Sequence, residues 1–319
     1  HSLRRRQRQM CIRDRFNMEG FVMKRLLDCE SSDFLSMTSK ELKKSILAAE
    51  GRTICSEMVV TREPLMNGIT NAEVARASGA DLMLLNGLDL LNPQIGGLPT
   101  CNQPIKELKK LVGRPIGANI EPVDLNADML ESRLEIPEGR KCSEKTLKAA
   151  QDLGLDFICL TGNPGTGVTN SAIVKAIESA KKHFSGLIIA GKMHGAGVNE
   201  PICDLKIVEE FINAGADIIL VPAVGTVPAF TEEQLISVVN FAHEKGALVL
   251  TAIGTSQESS STEVIEQFGL KNKVCGVDIQ HIGDAGYSGI APVENIFALS
   301  SSIRGLRHTL TMISRSINR

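Results

Sequence analysis

Gly215-Ala216-Asp217-Ile218-Ile219-Leu220-Val221 contains the pattern that decides the fold of this chain: a glycine, one further residue, an aspartate and a short apolar run. A glycine at this position ends the preceding helix in a left-handed cap, and an apolar run of this length is typical of a buried strand. The signature recurs at Gly79-Ala80-Asp81 and Gly154-Leu155-Asp156, and Gly269-Leu270-Lys271 precedes the last run. The chain is therefore expected to repeat a helix followed by a buried strand.

Eight β-rich runs occur along the chain, and the stretches between them carry apolar residues three and four apart, as helices do. The runs are Arg52–Val60, Asp81–Leu85, Pro115–Glu121, Asp156–Thr161, Leu187–His194, Asp217–Val221, Ala247–Ile253 and Val274–Gln280. Helical stretches include Asn170–His183, Cys203–Ala214 and Thr231–Lys245. Eight such units in about 250 residues predict an α/β fold, a (β/α)8 TIM barrel. An open dinucleotide-binding sheet would need a Gly-rich turn after the first strand, where Thr61-Arg62-Glu63-Pro64 stands instead.

The rest of the 319 residues are expected to be accessory to the barrel. Residues 1–17 are interpreted as a non-native or disordered leader, residues 18–50 as an N-terminal extension, 51–305 as the barrel, and 306–319 as the end of the last helix and a tail. The extension is predicted to form a helix at Ser39–Ala49 that covers the barrel floor. Residues 1–15 hold six arginines against one aspartate, a net +5, which leaves −7 on the remainder of a chain whose total is −2.

Composition excludes several classes of protein. The near-neutral net charge and the 3% aromatic content disfavour a nucleic-acid partner, and 43% hydrophobic residues disfavour a disordered chain. No apolar run reaches the roughly 18 residues of a membrane span, so no membrane partner is expected. Apart from Cys11, seven cysteines remain without a CxxC pair, which indicates reduced thiols in a cytoplasmic protein. The sequence leaves open whether the chain forms a homo-oligomer.

Candidate catalytic residues follow from the rule that the chemistry of such barrels lies at the carboxyl ends of the strands. They are Lys192, His194, Glu57, Glu121 and Asp278. A lysine inside an apolar strand must be paired, neutralised or solvated, so Lys192 could activate a substrate, form a Schiff base, or simply pair with Glu121 or Asp278. His194 is expected to move protons, and one of the three carboxylates would be the complementary acid or base.

A phosphate site is predicted in the loops after the seventh and eighth runs, which are rich in Gly, Ser and Thr. Their backbone N–H groups and hydroxyls can bind an anion, and barrels of this kind often bind phosphate there. The expected ligand contacts are Gly254, Thr255, Ser256, Gly283, Gly286, Tyr287 and Ser288, with Asn86, Asn119, Asn163, Gln280 and His281 at other strand ends. Ordinary Gly/Ser turn chemistry is the alternative. Glu258 and Asp284 count against phosphate unless their side chains face away.

A metal site has less support in the sequence. The carboxylates of Glu57, Glu121 and Asp278 could gather around Mg²⁺, which prefers oxygen ligands. No HxH, HExxH or DxD cluster is present, so no other metal or cofactor is expected.

Three segments give the chain a resemblance to known sequences: Leu27-Asp28-Cys29-Glu30, Gly191-Lys192-Met193-His194-Gly195-Ala196-Gly197 and Gly283-Asp284-Ala285-Gly286. From Met23 onward the sequence resembles a bacterial TIM-barrel family, a domain of unknown function. Its members carry the labels phosphoenolpyruvate phosphonomutase-like and haloacid dehalogenase-like hydrolase. The resemblance implies a phosphate-binding barrel. The sequence lacks the DxD nucleophile motif of the dehalogenases and the acidic metal-binding runs of the mutases.

The sequence therefore favours an enzyme that acts on a small phosphorylated metabolite at the C-terminal face of the barrel, by lyase or isomerase chemistry. Two alternatives stay open. One is a barrel that binds a phosphorylated ligand and regulates a partner without turnover. The other is a hydrolase, as one family label suggests.

Overall fold

The barrel itself follows the predicted plan. The computed structural model describes residues 23–319, and the arginine-rich leader lies outside that range. Eight parallel strands close in sequence order, which confirms the (β/α)8 TIM barrel. The strands are β1 (Thr53–Val59), β2 (Leu82–Asn86), β3 (Ile116–Ile120), β4 (Phe157–Leu160), β5 (Leu187–Gly191), β6 (Ile218–Pro222), β7 (Leu248–Ile253) and β8 (Ile279–Ile282).

Helices surround the barrel, and several begin at a residue whose side chain caps the first turn. Thr70, Ser143 and Thr231 do so in reciprocal capping boxes, which satisfy backbone amides that a helix start leaves free. The helices are α1 (Ser31–Ser36), α2 (Ser39–Leu47), α3 (Asn71–Ala77), α4 (Pro104–Val112), α5 (Glu144–Leu153), α6 (Asn170–His183), α7 (Leu205–Ala214), α8 (Glu232–Glu244), α9 (Thr262–Val274) and α10 (Val293–Ser314). None of the helices between residues 23 and 319 is long and apolar enough to cross a membrane.

The last predicted strand is wrong over most of its length. Helix α9 continues to Val274, and Gly276 then adopts a left-handed conformation with φ +92° before β8 begins at Ile279. The fourth copy of the glycine–aspartate signature is therefore Gly276-Val277-Asp278. Gly269-Leu270-Lys271 lies inside α9.

Four aspartates hold neighbouring strands together at the amino end of the barrel. Each accepts a hydrogen bond from a backbone amide of the preceding odd-numbered strand and returns its own amide to the carbonyl of the same residue. The pairs are Asp81 with Ile54 (2.9 Å), Asp156 with Ile116 (2.8 Å), Asp217 with Ile188 (3.1 Å) and Asp278 with Val249 (2.8 Å). We call these four pairs the floor clamps.

A basic side chain compensates each clamp carboxylate. The ion pairs are Arg304 with Asp81 (2.6 Å), Lys109 with Asp156 (2.7 Å) and Lys43 with Asp217 (3.5 Å), and His243 Nε2 lies 2.8 Å from Asp278. Removal of one clamp carboxylate would leave a strand amide without its partner, at a cost of about 1–3 kcal/mol. The glycine–aspartate signature is therefore a structural motif of the floor.

The N-terminal extension closes the barrel floor with apolar side chains. Leu26, Leu27, Phe34 and Ile46 are buried in one cluster with Phe157 of β4 and other residues inside the barrel. Each such side chain contributes roughly 1.5–3 kcal/mol on burial. The chain end is bound to the same region, because the Arg319 carbonyl accepts a hydrogen bond from the Ser32 amide at 2.8 Å.

The cysteines of the described residues are all free thiols. Burial raises the pKa of Cys29 to about 11 and that of Cys142 and Cys203 to about 12. These thiols stay protonated at neutral pH and are poor nucleophiles.

Candidate active site at the barrel mouth

The inside of the barrel changes from apolar at the floor to polar at the carboxyl end. The lower inward positions hold Phe157, Leu187 and Ile279, which belong to the cluster beneath the barrel. Because side chains alternate along a strand, inward positions two residues or more above this level carry the groups that face the mouth. They include Glu57 of β1, Asn119 of β3 and His281 of β8, all of them buried.

A carboxylate–imidazole contact lies at the centre of this mouth. Glu57 Oε2 is 3.0 Å from His281 Nε2, and Glu57 Oε1 accepts a hydrogen bond from Asn119 Nδ2 at 2.5 Å. Strand register explains the contact, since His281 pairs with Cys55, two residues before Glu57. Neither His281 nitrogen makes a hydrogen bond of normal geometry, and the Asn119 Oδ1 atom has no partner among the described residues. Buried polar atoms are rarely left without partners, so these atoms point to a ligand.

A second network surrounds Asp284, in the loop after β8. Asn86 Nδ2 donates to Asp284 Oδ2 at 2.7 Å, and Asn86 and Asn163 exchange side-chain hydrogen bonds of 2.8 and 3.0 Å. Burial, together with the charges of Glu57 and Glu258, raises the pKa of Asp284 to about 7, against the opposing hydrogen bond from Asn86. A carboxyl with this pKa exists in both protonation states near neutral pH and can serve as a general acid or base.

Glu258 belongs to the same acidic group, which the sequence did not reveal. Its side chain is 2% exposed, its Oε1 accepts from the Ala285 amide at 2.9 Å, and its Oε2 has no partner among the described residues. Burial raises its pKa. The two acidic residues of the Gly/Ser loops therefore turn toward the mouth, together with Glu57.

His194 contributes a hydrogen-bond donor of fixed orientation. The Ala196 amide donates to His194 Nδ1 at 3.0 Å, so in the neutral ring the proton is on Nε2. Burial lowers the pKa of His194, although the charges of Glu57 and Glu121 oppose this effect. The neutral imidazole can therefore donate a hydrogen bond at neutral pH.

Lys192 does not lie in the mouth as a free amine. Its side chain is 1% exposed, and its ammonium group forms an ion pair with Glu200. The Glu200 carboxylate also accepts from the Asn170 amide at the start of α6 at 2.6 Å. Burial lowers the pKa of Lys192, but the bond with Glu200 opposes this. The pair fixes the loop after β5 to the start of α6. The Schiff-base hypothesis and the predicted partners Glu121 and Asp278 are therefore not supported.

Glu121 is likewise a loop anchor rather than an available acid or base. Its Oε1 accepts from Arg140 at 2.6 Å, and its Oε2 accepts from the Asn163 amide at 2.9 Å. Both carboxylate oxygens are therefore occupied, and the side chain ties the loops after β3 and β4 to each other.

Two residues of the last predicted run lie away from the mouth. Asp278 is at the opposite end of the barrel, in a floor clamp, because the true strand starts one residue later. Gln280 has the parity of Ile282, which packs in the cluster between the barrel and the helices. Its Oε1 accepts a long hydrogen bond from the Thr251 hydroxyl at 3.5 Å. Their assignment to the mouth was wrong because β8 begins only at Ile279, whose side chain faces inward, so the Gln280 side chain faces outward.

Some of the donors in the predicted phosphate loops are already used within the protein. Thr255 and Ser256 are left-handed, with φ +58° and +65°, and the Thr255 hydroxyl is already bonded to the Thr226 carbonyl at 3.0 Å. The Gly283 amide donates to a β7 carbonyl. Tyr287 is 93% exposed. The carbonyl oxygens of Gly254 and Gly286 accept hydrogen bonds within their turns, and the Ser288 carbonyl accepts one from the Asn71 side chain of α3. Phosphate binding by these loops stays a prediction.

The predicted magnesium ligands do not come together. Asp278 lies at the floor and Glu121 is occupied by Arg140 and Asn163, so Glu57 alone remains in the mouth. In the part of the chain from residue 23 onward, no group of three or more His, Cys, Asp or Glu side chains has an arrangement that could hold a metal ion. The donor set therefore does not fit the expected Mg²⁺ site.

Comparison with known sequences assigns this (β/α)8 barrel, whose mouth is lined by acidic side chains, to a family. The chain belongs to the family described as Domain of unknown function (DUF7916), whose model matches residues 27–319. No curated protein matches its sequence. The haloacid dehalogenase-like label is not supported, since the chain forms a closed barrel.

Solved structures with a similar barrel share little sequence with this chain. One is 2,3-dimethylmalate lyase, a member of the PEP mutase/isocitrate lyase superfamily, with 15% identity and a TM-score of 0.47, covering 77% of this chain and 81% of that one. Another is KGPDC from Streptococcus mutans, with 15% identity and a TM-score of 0.46, over 79% and 97% of the two chains. A third is thiamine phosphate pyrophosphorylase from Pyrococcus furiosus, with 12% identity and a TM-score of 0.45, over 81% and 100%.

Proposed function

We propose that this protein is an enzyme of the lyase or isomerase type, which moves a proton to or from a small polar substrate bound at the barrel mouth. The observation that carries the proposal is the buried contact between Glu57 and His281, with Asn119 fixing the carboxylate. A buried carboxylate held beside an imidazole is an arrangement suited to proton abstraction.

The other mouth residues supply complementary steps. Asp284, with its pKa of about 7, can deliver a proton to the substrate or receive one while Glu57 and His281 act on another atom. The Nε2–H of neutral His194 can donate a hydrogen bond to an oxygen on which negative charge develops. Isomerisation would return the proton to a different atom, whereas a lyase would release two fragments.

The test is a search for turnover in deuterated water with a mixture of small metabolites, followed by mass spectrometry. An isomerase would place solvent deuterium on carbon, and a lyase would convert one compound into two fragments. We expect Glu57→Gln to slow this turnover by about 10²-fold or more. Asp278→Ala, altered at the opposite end of the barrel, is the matched control and should retain turnover per folded molecule.

Two results would contradict the proposal. One is a Glu57→Gln protein that turns over the identified compound as fast as the unaltered chain. The other is a product set explained by hydrolysis alone, with no deuterium on carbon and no bond broken between carbons.

A further inference from the structure

The mouth contains more acidic groups than available cations. Glu57, Glu258 and Asp284 influence one another, since the charges of the first two raise the pKa of the third. The cations near them are already bound: Arg140 to Glu121 and Lys192 to Glu200.

Two further arginines are not paired with these carboxylates. Arg133 donates to the backbone carbonyls of Asp124 and Leu125 within the loop after β3. Arg62 is exposed and lines a separate cavity of about 380 Å³, between the loops after β1 and β2, whose lining includes none of the three carboxylates. Within residues 23–319, no lysine or arginine thus forms an ion pair with Glu57, Glu258 or Asp284.

The buried atoms without partners add a second, independent constraint. Glu258 Oε2 and Asn119 Oδ1 are acceptors on side chains that are 2% and 4% exposed. An unsatisfied buried acceptor costs about 1–3 kcal/mol, which a ligand with N–H or O–H donors would recover. A ligand that brings only acceptors would leave both atoms unsatisfied.

We propose that the substrate of this site carries a protonated amine, which binds among Glu57, Glu258 and Asp284. The assignment rests on the proposed function only for the location of the substrate. An ammonium group supplies three hydrogen-bond donors and a compact positive charge. The donors can pair with the unsatisfied buried acceptors, and the charge can offset the excess of carboxylates. A phosphate group would bring acceptors and negative charge into the same space, where like charges repel.

The test compares three probes that share one alkyl chain: n-butylamine, 1-butanol and n-butyl phosphate. Binding to the full chain is measured by titration calorimetry at neutral pH with a chelator present. We expect n-butylamine to bind at least about tenfold more tightly than 1-butanol, and n-butyl phosphate to show no binding. Glu258→Gln replaces the free acceptor by an amide of equal size and should weaken amine binding by about tenfold, or 1.4 kcal/mol.

Asp284→Asn provides a second variant of the acidic group in case Glu258→Gln does not fold. Asp152→Asn, at an exposed position on α5, is the control and should bind the amine like the unaltered chain. The proposal is overturned if n-butyl phosphate binds as tightly as n-butylamine. Amine binding that requires added Mg²⁺, or that neither acidic variant weakens, overturns it as well.

Amine binding and the proposed catalytic function can be tested independently of each other. Amine binding is read without turnover, so it can stand even if Glu57→Gln leaves catalysis unchanged. Conversely, proton transfer to carbon can be established with a substrate that lacks an amine, which would leave the enzyme assignment intact and refute the substrate class.

Discussion

The Asp284→Asn variant measures how much the negative charge of Asp284 lowers the free energy of unfolding. The pKa of Asp284 rises from 3.8 to about 7 on folding, so its raised folded-state value favours the native state at low pH, and that stability is lost as the pH rises through about 7. A change of about 3 pKa units corresponds to about 4 kcal/mol, or about 2–4 kcal/mol after allowance for solvent screening. Asparagine stays neutral and can still accept the hydrogen bond from Asn86. The variant should therefore match the unaltered chain near about pH 4 and exceed its stability by about 2–4 kcal/mol near about pH 8.

The assay is urea unfolding followed by far-ultraviolet circular dichroism, because the chain has no tryptophan. Asp152→Asn, at its exposed position on α5, removes the same charge without touching the mouth and should leave the pH dependence unaltered. Equal stability differences at both pH values would refute the reasoning, since they would show that Asp284 does not change its protonation state between them. We also expect the stabilised protein to lose activity, because stability and catalysis oppose each other at such sites.

Two further predictions concern the scaffold. Asp278→Ala leaves the Val249 amide without its acceptor and should lower the free energy of unfolding by about 1–3 kcal/mol; urea titration measures this, and an unchanged midpoint would show that the clamp contributes nothing. Gly117→Ala would place a Cβ 2.2 Å from the Phe157 ring inside the barrel, so we expect a loss of about 1–3 kcal/mol in the same assay. Phe157→Leu combined with Gly117→Ala should recover part of that loss, and no recovery would argue against the clash.

The fold was readable from the sequence because the glycine–aspartate signature marks a local event, the end of a helix and the start of a strand. The same locality explains the error at the last strand. Val274, Cys275 and Val277 read as an apolar strand, yet Val274 is 81% exposed at the end of α9, and a capping glycine separates it from β8. The same apolar residues can form the end of a helix or the start of a strand. The local sequence does not separate these two cases, whereas the packing in the structure does.

The candidate site was only partly predictable. Strand parity brings Glu57 and Asn119 inside, but parity fails beyond the end of a strand. Strand β5 stops at Gly191, with φ +147°, where a Cβ would lie 1.9 Å from the Leu220 carbonyl oxygen. The partner of Lys192 is Glu200, which returns from the following loop. No local sequence pattern predicts that Glu200 folds back onto Lys192, or that the Glu258 side chain points toward the mouth.

The floor clamps also divide the barrel into parts. Every clamp joins an odd strand to the even strand that follows it, while no aspartate of this kind bridges β2 to β3, β4 to β5, β6 to β7 or β8 to β1 within the described residues. At each of these four strand boundaries, the barrel can thus be opened without breaking the hydrogen bond of a floor clamp. A cut between β4 and β5 leaves two halves of four strands, each with two complete clamps.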